Sequence, residues 1–127
     1  PFLCGTASYT ATLAALMTIA SGAAGQGAVA PLGAAVPAQS EALSAAEKVL
    51  SAEIPSPTGV RLLSAGAEIG TVRYGAAKLV ELTCIPAWSG DLEEFAHSQY
   101  WAMPTGDLVV VVATDPVLAG YADEAVH

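Results

Sequence analysis

The chain has 127 residues, 54% of them hydrophobic and 13% charged, with 12 acidic side chains against 4 basic ones and a net charge of −8. That is one domain's worth of chain and too apolar to be disordered. Its four cations, Lys48, Arg61, Arg73 and Lys78, cannot make the basic stripe that neutralises several phosphates, so the composition argues against nucleic-acid binding.

Alanine alone supplies 27 residues, which implies close-packed helices in place of a bulky aromatic core. No Asp, Glu, Lys or Arg occurs before Glu41. Residues 1–24 predict a helix with Thr6 or Ser8 as N-cap and a stop at Gly22 or Gly25. Its apolar stretch, residues 11–20, is diluted by Thr and lacks a basic leader, so it reads neither as a signal peptide nor as a membrane span, which wants roughly 20 apolar residues. A helix buried on all sides by protein is expected. Residues 25–38 read as an uncharged Gly/Pro/Ala linker. A connector helix over 39–53 follows, opening at Ser40 and Glu41, carrying Leu43, Ala46, Leu50 and Ile54, and closed by Pro55-Ser56-Pro57.

From Gly59 the register changes. Val60-Arg61-Leu62-Leu63 is a short strand, followed by a small-residue turn and a helix with Ile69, Val72, Ala76, Leu79, Val80 and Thr83 on one side, the first half of a βαβ unit. Ile85-Pro86-Ala87-Trp88 predicts a second strand at an edge, since Pro86 cannot donate to a ladder. Ser89 or Asp91 then caps a helix through Leu92, Phe95 and Ala96. The run Leu108 to Ala113 is the clearest strand, and its continuous β-branched character predicts the centre of a parallel sheet. Asp115 and Pro116 open a last helix. The class is α/β. Three strands leave two open edges, so the chain is expected either to belong to a larger protein or to oligomerise.

Cys4 and Cys84 have neither zinc-ligand nor C-x-x-C spacing, and buried thiols in a reducing cytoplasm are the expectation. The loop Ser64 to Gly70 is not a dinucleotide fingerprint, and Glu68 stands where a pyrophosphate would sit. Two polar clusters remain. Tyr74, Lys78 and Glu81 share one side of a helix, a pattern that by spacing alone is an ordinary solvated face. Glu93, Glu94 and His97 form the second; one E-x-x-H without a partner motif does not make a metal site. Glu81 and His97 together supply a carboxylate and an imidazole, the two parts of proton-transfer chemistry.

Residues 60–114 resemble the sugar isomerase (SIS) domain, and within it the second SIS half of the glucosamine-6-phosphate synthase isomerase type. The resemblance is carried by VRLLSAGAEIG, by YGAAKLVELTCIPAWSGDLEEFAH and by LVVVVATD. The family's helix ends in A-L-K-L-K-E and a later segment in G-E-L-K-H-G; here stand Ala77-Lys78-Leu79-Val80-Glu81 and Glu94-Phe95-Ala96-His97, with the family's sixteen-residue separation between Glu81 and His97. Ala7 to Leu13 is similar to the family's K-A-F-T-x-Q-L stretch, which implies that residues 1–38 hold the closing helix of a preceding SIS half plus a linker, 39–58 a connector helix, and 59–127 a partial second half.

The resemblance implies a three-layer αβα sandwich of the flavodoxin-like SIS type, apparently partial. It implies aldose–ketose isomerisation of a sugar or amino-sugar 6-phosphate, or a related deaminase or deglycase reaction, in the cytoplasm and without metal or cofactor. Glu81 is the implied proton-transfer base, His97 the ring-opening group that often reaches in from a neighbouring subunit, and Lys78, Ser64 and Gly66 the substrate-binding candidates. A homodimer, or the remainder of a double-SIS protein, is the implied partner. The chain departs from the pattern in having Tyr74 where the family has a glutamate, and in lacking the Ser/Thr-rich phosphate cradle and the C-terminal lysine. The alternative is a non-catalytic SIS module that binds a sugar phosphate or dimerises.

Overall fold

A computed structural model of the chain describes residues 6–25, 29–50 and 56–126. The chain divides into two compact units, Pro1–Pro55 and Ser56–His127.

The first unit holds α1 (Thr6–Ala23) and α2 (Val29–Leu50). Within α1 the hydroxyls of Thr12 and Thr18 donate to the carbonyls of Ser8 and Ala14, both at 2.8 Å, so the polar side chains satisfy themselves on the helix. Gly25, at φ 68°, ends the segment in the left-handed region that glycine tolerates. Complete burial of this helix does not hold: Leu13, Leu16, Met17 and Ile19 are all exposed. Among the described residues no helix is long and apolar enough to cross a membrane.

The linker expected over 25–38 is likewise corrected, because α2 already begins at Val29. Seven of its 22 residues are alanine, the best helix former, and this outweighs the Gly/Pro signal. Pro31 lies in the first turn, where its missing N–H has no helical partner to lose, and Pro37 forfeits one internal bond. Leu43 and Val49 are exposed on this helix. Residues 51–55, including Ile54, lie outside the described residues.

The second unit runs β1 (Gly59–Ser64), a 3-10 turn (Gly66–Glu68), α3 (Ile69–Thr83), β2 (Ala87–Asp91), α4 (Leu92–Glu94) continued by a π-helical turn (Phe95–Gln99) and a 3-10 turn (Tyr100–Ala102), β3 (Asp107–Val111) and α5 (Pro116–Val126). The strands form one parallel sheet in the order β2-β1-β3, with Val60 beside Ala87 on one side and Leu108 on the other. The centre is therefore β1, and the valine run expected there is an edge. A continuous apolar run reports burial on two faces and says nothing about lateral position. Even that burial is incomplete, for α3 lies over β1 and β2 and leaves Val110 of β3 exposed.

Alternation along β1 sends Leu62 and Leu63 to opposite faces. On the Leu62 side pack Val72 and Ala76 of α3, both buried. A Cβ at Gly75 would come within 2.9 Å of the Leu62 Cδ2, so glycine there permits the close approach of helix and strand. On the Leu63 side a core of Leu63, Leu92, Phe95 and Leu118 is flanked by Met103, Val109, Val111 and Ala122. Helices thus cover parts of both faces.

At the amino end of the sheet, Arg61 bonds Asp107 at 3.1 Å, Asp107 accepts from the Thr58 hydroxyl at 3.0 Å, and the guanidinium stacks 4.8 Å from the Trp88 ring centroid. Cys84 ends α3 in a left-handed conformation, φ 57°, with its N–H bonded to Val80 O. Its thiol is exposed, contrary to the buried thiol expected. Cys4 lies outside the described residues.

Candidate functional site

At the carboxyl end of β1 the chain leaves toward the Leu62 face to form α3, whereas the chain leaving β2 and β3 forms helices that pack on the Leu63 face. Divergence of neighbouring connections opens a crevice at the strand ends, the place where open α/β sheets bind ligands. A cleft of about 770 Å³ occupies that position. Its walls are the Ala65–Glu68 turn, the helical face of Leu92, Glu93, Ala96 and His97, and the start of α5 with Asp115, Val117, Leu118, Tyr121 and Glu124.

The local sequence explains each wall. Gly66 adopts φ 61°, which lets the chain turn sharply out of β1. The Asp91 carboxylate accepts from the backbone N–H of Glu93 at 3.0 Å and of Glu94 at 3.2 Å, starting the helix that carries His97. Asp115 does the same for Val117 and Leu118 at 2.8 and 2.9 Å, so the predicted cap of α5 stands as read. The Thr114 hydroxyl donates to the Glu68 carboxylate, fastening the turn after β1 to the segment after β3.

The cleft has an apolar floor and an acidic rim: Glu68, Glu93, Asp115 and Glu124 line it, and neither Lys nor Arg does. Such a rim disfavours a free phosphate dianion and suits hydroxyl or amine groups, which donate to carboxylates. Among the described residues no three His, Cys, Asp or Glu side chains are grouped to hold a metal ion.

Of the five residues singled out from the sequence, the cleft brings together His97 and Gly66. His97 Nε2 lies 3.7 Å from Glu93 Oε1, and the two side chains are 77% and 74% exposed. Glu81 sits near the end of α3, on the other face of the sheet, paired with Lys78. The Lys78 ammonium also lies 5.5 Å from the centroid of the Tyr74 ring. Ser64 is fully buried, its hydroxyl donating to Val112 O at 2.6 Å, which makes it a fastener between the chain ends of β1 and β3.

The sequence reading missed Tyr121 and Glu124, because nothing local ties the last helix to the turn after β1. It met Glu68 only as an obstacle to phosphate, although its place at the start of a strand-to-helix turn was the available signal. No family model, no curated protein and no solved structure matches the chain.

Proposed function

We propose that the protein is an SIS-type domain that acts on a sugar phosphate, carrying out aldose–ketose isomerisation or the related deaminase or deglycase chemistry. The observation that carries this reading is the position of His97, marked by its spacing from Glu81 and found in the crevice at the carboxyl ends of the parallel strands. Helices on both faces of the sheet support the finer fold, a three-layer αβα arrangement of flavodoxin-like type.

On this reading Glu81 is the proton-transfer base and His97 the ring-opening group. They lie on opposite faces of one sheet, so a shared reaction centre needs Glu81 of one chain and His97 of another, in a homodimer or a longer double-SIS protein. The phosphate is met by groups outside the acidic cleft, and the sugar hydroxyls by its carboxylates. The test is turnover of fructose 6-phosphate, glucose 6-phosphate and glucosamine 6-phosphate followed by NMR. Glu81→Gln is expected to lower the rate by about 10²-fold or more with sugar binding retained. Unchanged turnover in that variant removes Glu81 from the reaction.

One observation favours a second reading, a non-catalytic sugar-binding module: the cleft has no Lys or Arg on its walls. A thermal shift with one sugar phosphate but no interconversion by the wild-type chain would select it.

A further inference from the structure

We infer that the carboxylate working with His97 inside a single chain is Glu68, as the base that carries hydrogen between two sugar carbons. This rests on the isomerase reading above and names a catalytic residue that the SIS resemblance does not supply.

Three features single out Glu68. It lines the same cleft as His97 but comes from the opposite side, on the turn that leads to α3, so a sugar seated in the cleft lies between the two. Its carboxylate is held through Oε1 by the Thr114 hydroxyl, which leaves Oε2 available. It is also the one carboxylate of the rim that is partly withdrawn from water: Glu93, Asp115 and Glu124 are exposed, and Asp115 is committed to two backbone N–H groups. A base fixed by a neutral donor and partly shielded is the arrangement that proton abstraction needs. The volume, about 770 Å³, falls within the usual small-molecule range of about 300–1,000 Å³.

The step balances without oxidant or metal. Glu68 removes the proton on C2 of the open-chain aldose, the C–H pair becomes the C1=C2 bond of an enediol, and the carbonyl oxygen O1 takes a proton from His97. The O2 hydroxyl then returns a proton to His97 as the C2 carbonyl forms, and the Glu68 carboxylic acid delivers its proton to C1. One C–H bond is broken and one formed.

The experiment is deuterium incorporation at the sugar carbons in D2O, followed by proton NMR on the full chain with glucose 6-phosphate, fructose 6-phosphate and glucosamine 6-phosphate. Glu68→Gln keeps an oxygen that accepts from Thr114 but cannot take the proton. It is expected to lose about 10²-fold or more in exchange while its melting temperature and its sugar-induced thermal shift stay at wild-type values. Glu68→Asp withdraws the carboxylate by one methylene without changing its charge, and is expected to lose about tenfold or more. Wild-type exchange in a folded Gln or Asp variant, with exchange lost in Glu81→Gln, overturns the role of Glu68 and leaves the isomerase reading standing. No exchange by the wild-type chain on any of the three sugars overturns the isomerase reading, and Glu68 falls with it.

Discussion

Asp107 ties three segments together through one carboxylate, meeting Arg61 of the central strand and Thr58 ahead of it while Arg61 stacks on Trp88 of the far strand. The carboxylate is 3% exposed, so removing it strands a largely buried guanidinium. Asp107→Ala is expected to cost about 3 kcal/mol in urea unfolding. A loss within 0.5 kcal/mol, roughly the effect of an ordinary surface substitution, would reduce the cluster to a surface pair. Gly59 belongs to the same arrangement, since a Cβ there would stand 2.8 Å from both the Asp107 Oδ1 and the Trp88 ring. Gly59→Ala is therefore expected to destabilise by about 1–3 kcal/mol, measured the same way, in contrast to the usual small gain from replacing glycine in a strand. Neither residue was legible in advance. In the sequence Gly59 and Asp107 look like turn punctuation, and only the lateral order of the strands puts them side by side.

At the scale of elements, patterning gave the strands and helices of the second unit well because each carries its own local signal: the β-branched run, the Asp115-Pro116 start, the small-residue turn after Leu63. Lateral order has no such signal, and β1 took the centre that the valine run was expected to fill. Amide exchange should follow the observed order. The amides of Leu62 and Leu63, on the central strand, are expected among the slowest in the chain, and those of α1 among the fast ones, since few apolar groups shield that helix. Slowest protection in β3 would contradict the order β2-β1-β3. The cap of α5 offers a finer check: Asp115→Ala is expected to cost about 1 kcal/mol and to speed exchange in the first turn of that helix about fivefold. The helix over 29–38 was missed for the opposite reason, since proline and glycine dominate a local reading while alanine decides the sum over a longer window.

For the molecule as a whole, charge and apolar surface are unevenly shared. The acidic groups of the candidate cleft belong to the second unit, whereas α1 carries no charged residue and exposes Leu16 and Ile19 at 58% and 67%. Exposed apolar helices associate. Light scattering is expected to give a mass above the 12.7 kDa of one chain, and Leu16→Glu with Ile19→Glu to return it to the monomer. A monomeric wild-type chain would remove the self-association expected from the sequence and, with it, a shared centre between two copies of this chain. The cleft itself was only half legible: His97 stood out by spacing, but its neighbours Glu68, Tyr121 and Glu124 come from segments that only folding brings together.

The order of strands also has a consequence during synthesis. The strand that emerges first from the ribosome is the middle of the sheet; β2 closes one flank soon afterwards, and the other flank waits until β3 has been made. In that interval an open parallel edge faces other nascent chains, the situation in which strands pair wrongly. Arg61 sits on that edge with its charge not yet met by Asp107. A cation at an unpaired edge deters wrong partners, and the right one neutralises it with an aspartate at its own first position. The cluster that locks the finished sheet thus also guards the half-made one.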